Sequence, residues 1–269
     1  MIEISQVERG LDCNCFCPGC GRPLIARKGS KTIHHFAHDK SADCKGALET
    51  ALHIAAKDIL EKHRKIKLPA ITSSTGIGWD VGSIYELYEE QTIYFDKVYL
   101  ERRLDEIVPD VIVEFNNTPL FIEVAVTHFI DEGKKEKIRK LNISTLEIDI
   151  SYLKGLPITF EELECAIIES PSNKKWVHNR KKELFRNKIK KLGKEHKVIY
   201  RGLSKHIDNC PKQARIWKGI PYANLTDDCF NCKYWVDFRS DEMEQYKYLT
   251  CAGEAKEQID EITKGYKKV

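Results

Sequence analysis

The stretch Ile107-Val108-Pro109-Asp110-Val111-Ile112-Val113-Glu114-Phe115-Asn116-Asn117-Thr118-Pro119-Leu120-Phe121-Ile122-Glu123-Val124-Ala125-Val126 decides how the middle of this chain folds. β-branched and aromatic residues crowd both sides of Asn116-Asn117, a dipeptide able to take the positive φ of a tight turn. It reads as two strands, about 107–115 and 120–126, joined as a hairpin. A two-residue turn sets Phe115 against Thr118 and leaves Asp110 opposite Glu123. A four-residue loop keeps that pairing, and an odd-length loop offsets it by one. Opposed like charges destabilise a hairpin. A divalent cation held between the carboxylates reverses that cost, because Mg²⁺ is bound by one or two carboxylates plus phosphate oxygens. Val111, Val113, Phe121 and Ile122 are apolar enough to seat the pair beside a core. A solvated acidic patch is the competing reading of the same spacing.

Outward from the hairpin, the apolar positions Leu48, Leu52, Ala55, Ala56, Ile59 and Leu60 follow helical spacing over 46–62. Strands are expected at about 66–71, 92–100 and 144–150. A helix is expected over 131–141 with Asp131 as its cap. Together these predict a mixed α/β (α+β) core. Helices are expected at 160–169 and 174–197, separated by Ser170-Pro171-Ser172-Asn173, and a charged helix from about Glu254. Cys165, alone in an apolar helical stretch, reads as a buried small hydrophobe.

Both ends are rich in metal-ligand residues. Cys17-Pro18-Gly19-Cys20 has the spacing of a zinc knuckle, and structural zinc takes four N/S ligands, usually as two close pairs. His38 and Cys44 are the favoured second pair, with His35 as the substitute and Cys13 and Cys15 in reserve. Residues 11–45 otherwise look too irregular for a core element. Near the other end, Cys210, Cys229, Cys232 and Cys251 place eighteen residues on each side of a central Cys-x2-Cys, which predicts a second, all-thiolate zinc site.

Composition sets limits on the setting. The 269 residues carry a formal net charge of only +3, with 42% hydrophobic and 32% charged residues, as a soluble globular protein does. No signal peptide is visible and no apolar run approaches the roughly 20 residues of a membrane helix. The ten cysteines are therefore expected in the cytoplasm, where clustered thiols bind metal rather than form disulfides. Lys174 to Lys197 holds eleven Lys or Arg against two Glu. Lys181, Lys182, Arg186 and Lys190 within it are candidate phosphate contacts, against a solvated helix face as the plainer reading.

Glu49, His53 and Lys57 recur every fourth residue and line one stripe of the first helix. A carboxylate, an imidazole and an ammonium beside Asp110 and Glu123 form a set suited to a phosphodiester. A zinc module feeding a carboxylate metal site points to an enzyme that cuts nucleic acid. The alternative is a zinc-dependent nucleic-acid-binding or assembly protein on a degenerate core.

These residues resemble the competence protein CoiA-like family, predicted PD-(D/E)xK nucleases with an N-terminal zinc finger. The resemblance covers roughly residues 11–152. It rests on Cys17-Pro18-Gly19-Cys20, His35-Phe36-Ala37-His38, Cys44, Glu49-x3-His53-x3-Lys57, Pro109-Asp110 and Ile122-Glu123, extended by Val126-Thr127-His128 with Lys134 or Lys135 and by Glu147-Ile148-Asp149. It implies a restriction-endonuclease-like core that binds Mg²⁺ or Mn²⁺ and acts on DNA, with Asp110 and Glu123 as the motif carboxylates and Glu49 as the first-helix glutamate. The motif lysine belongs at position 125, which is Ala125 here. Either a lysine from elsewhere replaces it, with Lys57 and Lys135 as candidates, or the chain binds without cutting. The expected organisation is a zinc module at 1–45, the nuclease core at 46–155, a basic helical segment at 156–199 and a four-cysteine zinc module at 200–269. DNA uptake, recombination and phage defence are all open as settings.

Overall fold

The computed structural model describes residues 2–38, 44, 46–76, 83–154, 158–240 and 246–269. The expected boundary at 155/156 falls outside them. The fold is mixed α+β and divides into two compact units, Met1–Pro69 with Glu90–His178, and Ala70–Glu89 with Asn179–Val269.

The hairpin organises the first unit. Asn116 and Asn117 take φ values of 48° and 56°, the left-handed pair that matches the twist of the flanking strands. Phe115 then faces Thr118, and the ladder runs on to Val111 against Ile122. The ladder ends there, with Asp110 and Glu123 as the next residues beyond it.

The sheet around it contains β1 (Lys97–Leu100), β2 (Val111–Phe115), β3 (Thr118–Ala125), β4 (Ser144–Asp149) and β5 (Lys174–His178), in spatial order β5-β4-β3-β2-β1. β3 and β4 are parallel and the other pairs antiparallel. Three helices pack with this sheet, α1 (Ala47–His63), α2 (Glu132–Leu141) and α3 (Phe160–Ile168). A parallel pair needs a crossover connection, and α2 supplies it.

On one face Val111, Val113, Leu120, Ile122, Leu146 and Ile148 are buried with Leu52, Ala56, Ile59 and Leu60 of α1 and Leu163 and Ile167 of α3. Strand alternation turns Phe121, Glu123, Thr145 and Glu147 to the other face. All four are buried, so both sides of the sheet centre are covered.

Local signals fix the helix ends. α1 starts after Gly46 at φ 89° and stops at Arg64, whose left-handed backbone N–H bonds Leu60 O at 3.0 Å. α2 starts at Asp131, whose side chain accepts from the Lys134 backbone N–H at 2.7 Å.

Several expectations are corrected. Lys174–Lys197 is not one helix. Lys174–His178 is the edge strand β5, followed by a helix at Arg180–Lys190 and a strand from Lys194. The ladder to β4 overrides the lysine-rich composition there. Thr92–Leu100 breaks at Phe95 and Asp96, whose backbone N–H groups bond Arg64 O and Glu114 O instead of continuing one strand. The strand begun at Ile107 starts only at Val111. The described residues within 11–45 are not irregular: Gly10–Phe16, Pro23–Arg27 and His35–His38 form a three-stranded antiparallel sheet. Cys165 is exposed, because Leu163, Ala166 and Ile167 already define the buried face of α3.

The second unit centres on six antiparallel strands, β6 (Lys194–Arg201), β7 (Ser204–Asp208), β8 (Arg215–Trp217), β9 (Ile220–Asn224), β10 (Trp235–Ser240) and β11 (Tyr246–Cys251), in order β8-β9-β7-β6-β11-β10. Val198, Ile207, Ala223, Trp235 and Leu249 are buried in this unit. It also contains α4 (Arg180–Lys190), α5 (Lys256–Thr263) and a three-stranded sheet of Ile71–Ser74, Ile84–Tyr88 and Lys267–Lys268. Among the described residues no helix is long and apolar enough to cross a membrane.

Candidate metal centres and active site

The N-terminal sheet carries the knuckle as a tight turn beyond its first strand. Cys17 N–H bonds Arg22 O and Gly21 N–H bonds Cys17 O, both at 2.8 Å. Cys17, Cys20, His38 and Cys44 converge, with ligand atoms all within 4.8 Å of one another. Cys17 Sγ lies 3.8 Å from Cys44 Sγ, and Cys20 Sγ 3.2 Å from His38 Nε2. Burial pushes the Cys17 thiol up, but backbone N–H groups of Gly19 and Cys20 outweigh it and bring it to about 7. Three thiols and one imidazole are a structural zinc donor set.

His35 is not among them. It lies three residues from His38 on a strand, hence on the opposite face, and its Nδ1 sits 2.9 Å from Ile33 O. Cys13 and Cys15 bond the backbone carbonyls of Leu24 and Cys13.

The carboxylates sit in a separate cavity of about 270 Å³ in the same unit, lined by Glu49, His53, Asp110, Glu123, Lys134 and Glu147 among others. Asp110 Oδ2 accepts from the Val124 backbone N–H at 2.8 Å and lies 3.6 Å from His53 Nε2. Glu49 and His53 come from the α1 stripe. Glu123 is buried, with Oε2 2.7 Å from Lys134 Nζ and, among the described residues, Oε1 without a hydrogen-bond partner. Burial first, and then the charge of Asp110, push its carboxyl up to about 7 against the opposing pull of Lys134. A buried, unpartnered carboxylate oxygen beside a second carboxylate fits a divalent cation.

Lys134 and Glu147, which entered the sequence reading only among the residues that extend the resemblance, take places in this cavity that the sequence did not assign them. Lys134 is the ammonium that reaches Glu123. Lys57, one turn beyond His53, is held by Glu101, and Lys135 pairs with Glu132 at 2.6 Å. The Asp131 cap was the available signal, since it fixes where the turn carrying Lys134 starts. Glu147 is the Cα partner of Glu123 across the parallel pair. Its Oε1 accepts from the Ile130 backbone N–H at 2.7 Å, and Oε2 lies 2.6 Å from Lys175 Nζ. Glu147 thereby ties down the chain that leads into α2.

In the second unit, Cys210, Cys229, Cys232 and Cys251 all line one cavity of about 470 Å³. Burial, and then the neighbouring thiols, push Cys229 up, and burial pushes Cys251 up to about 11. Among the described residues, however, only the N-terminal set draws its donor atoms within 4.8 Å. Lys181, Lys182, Arg186 and Lys190 lie on α4. Lys181 Nζ stands 3.6 Å from the Tyr88 ring centroid, and Lys190 Nζ 3.9 Å from Asp237.

A zinc-type module and a mixed-sheet unit carrying a carboxylate cavity describe the first unit. Residues 3–47 match the family model for the N-terminal domain of competence protein CoiA, which supports the CoiA-like resemblance. No curated protein and no solved structure matches the chain.

Proposed function

We propose that the chain is a divalent-metal-dependent nuclease acting on DNA. The observation that carries this reading is the set of Asp110, Glu123 and Lys134 around one cavity, with His53 and Glu49 on its α1 wall. Asp110 and Glu123, with Glu49 beside them, would hold Mg²⁺ or Mn²⁺, which supplies Lewis-acid activation of water and charge neutralisation at phosphate. Lys134 supplies the cation missing at Ala125, placed to offset charge developing on a phosphate oxygen. His53, bonded to the Val124 carbonyl at 2.5 Å, is held in place to orient water or the leaving group. Lys181, Lys182, Arg186 and Lys190 would add sequence-independent phosphate contacts. The match to a competence-protein domain favours DNA as the substrate.

Zinc is assigned to Cys17, Cys20, His38 and Cys44, and a second zinc to Cys210, Cys229, Cys232 and Cys251 on the strength of their shared cavity. The cytoplasm, where these thiols stay reduced, is the compartment that suits both sites. The absence of lysine at Ala125 favours the binding-only alternative, and Lys134 weighs against it.

The test is cleavage of supercoiled, linear and single-stranded DNA in Mg²⁺ and in Mn²⁺ by the wild-type chain, Asp110→Asn and Glu123→Gln. The reading expects metal-dependent cleavage that each substitution reduces at least about a hundredfold. Folded, zinc-loaded wild-type protein that leaves every substrate intact supports the binding-only alternative.

A further inference from the structure

The two units differ in charge. By sequence the second holds 21 Lys and Arg against 16 Asp and Glu, a net +5, and the first holds 23 against 25, a net −2. The basic excess of the chain therefore lies in the unit without the carboxylate cavity.

Its six-stranded sheet has one buried side, marked by Val198, Ile207 and Leu249. Alternation sends the intervening residues to the opposite side. There Tyr248 stands opposite Lys197 on β6 and Arg239 on β10, with the Arg239 guanidinium 4.6 Å from its ring centroid. Nearer the other edge, His206 packs edge-on against Tyr222 at 5.5 Å between centroids. Arg201 pairs with Asp208 at 3.0 Å while lying 5.4 Å from the centroid of Trp217, which is 50% exposed. The face thus sets flat rings beside guanidinium and ammonium groups across its strands, with Glu195 3.5 Å from Arg239 as well as Asp208 beside Arg201, over a width of roughly 24 Å at about 4.8 Å per strand step.

We infer that this face binds single-stranded nucleic acid, with unpaired bases stacking on Tyr248 and Trp217 and phosphates meeting Lys197 and the neighbouring basic groups. Rings on an open sheet accept base π-faces of any sequence, and fixed guanidinium planes extend the stacking surface. Aromatic and Arg side chains also suit protein interfaces. The net positive charge of this unit selects the polyanion. The inference rests on the nucleic-acid reading above, but not on the carboxylate site.

The test uses the 269-residue chain carrying Asp110→Asn, so that cleavage cannot mimic loss of binding. Its affinity is measured for a short oligothymidylate and for a duplex of the same length. The inference expects preference for the single strand, and at least about fivefold weaker binding for Tyr248→Leu and for Trp217→Leu. Tyr248→Phe, which keeps the ring, should bind as the parent does. Lys197→Gln should flatten the salt dependence, whereas the aromatic variants leave its slope intact. Equal affinity for duplex, undiminished binding by both leucine variants, or a Phe variant as weak as the Leu variant overturns the inference. So does failure to bind any oligonucleotide at low salt, which leaves the face to a protein partner. Loss of cleavage in Asp110→Asn with binding retained bears on the nuclease reading alone.

Discussion

Lys134, near the start of α2, places Nζ 2.7 Å from Oε2 of Glu123, a buried carboxylate in β3. The contact joins a crossover helix to the strand it follows, and it brings an ammonium to the cavity although position 125 carries alanine. Lys134→Met is expected to lower cleavage about a hundredfold or more, the loss typical of one electrostatic group at a developing charge. Lys134→Arg should recover part of it, while Lys57→Met and Lys135→Met stay near wild type. Single-turnover rates on one DNA substrate measure this. Equal losses at Lys57 and Lys134 would deny Lys134 its special place.

Glu123 sets a pH dependence. Its folded-state pKa is raised to about 7 from 4.5, so between these values the folded chain holds a proton that the unfolded chain has released. Stability from this group is fully present below about 4.5 and falls as pH rises to about 7, by on the order of 3 kcal/mol. Glu123→Gln should remove that slope. Without divalent metal, the variant is expected to gain on wild type between pH 5 and pH 8 in urea denaturation. A stability difference that does not change with pH contradicts the assignment.

The zinc donors can be separated by metal analysis. Cys20→Ser and His38→Ala should each lose about one zinc per chain. His35→Ala should retain full content, because His35 faces away from the knuckle. Strong chelation should lower the melting temperature, since structural zinc is coupled to folding. Loss of zinc in His35→Ala equal to that in His38→Ala would mean that the strand presents the other imidazole.

Ile138 is the single buried side chain of α2. Ile138→Ala is expected to cost about 2–5 kcal/mol. It should also reduce cleavage in the fraction that remains folded, because α2 carries Lys134. Stability by denaturation and activity at low temperature separate the two effects. Full activity in the folded fraction would show that Lys134 is positioned without this anchor.

The hairpin was legible because its determinants are local. Asn116-Asn117 fixes the turn, the turn fixes the register, and the register runs to Val111 against Ile122, next to Asp110 and Glu123. The ligand pattern of the knuckle was legible for the same reason. The reach of Lys134 to Glu123 was not, since it depends on how α2 docks over the sheet. The place of Glu147 beside Glu123 was hidden because the parallel register of β3 and β4 is set by a crossover. At Lys174–His178 the lysines suggested helix, yet Lys174 is buried, its ammonium bonding Ser170 O at 2.6 Å. Tertiary pairing won there over local preference.

Cys44 lies just ahead of α1, and its carbonyl accepts from the Ala47 backbone N–H at 3.4 Å. A member of the Cys/His cluster is thus bonded to the first turn of the helix whose Glu49 and His53 wall the carboxylate cavity. Each residue of an α-helix turns the chain by about 100°. Inserting or deleting one residue between Cys44 and Glu49 would leave the four zinc donors intact and swing the glutamate away from the cavity. The distance counted in residues, more than the identity of those residues, couples the Cys/His cluster to the carboxylate cavity.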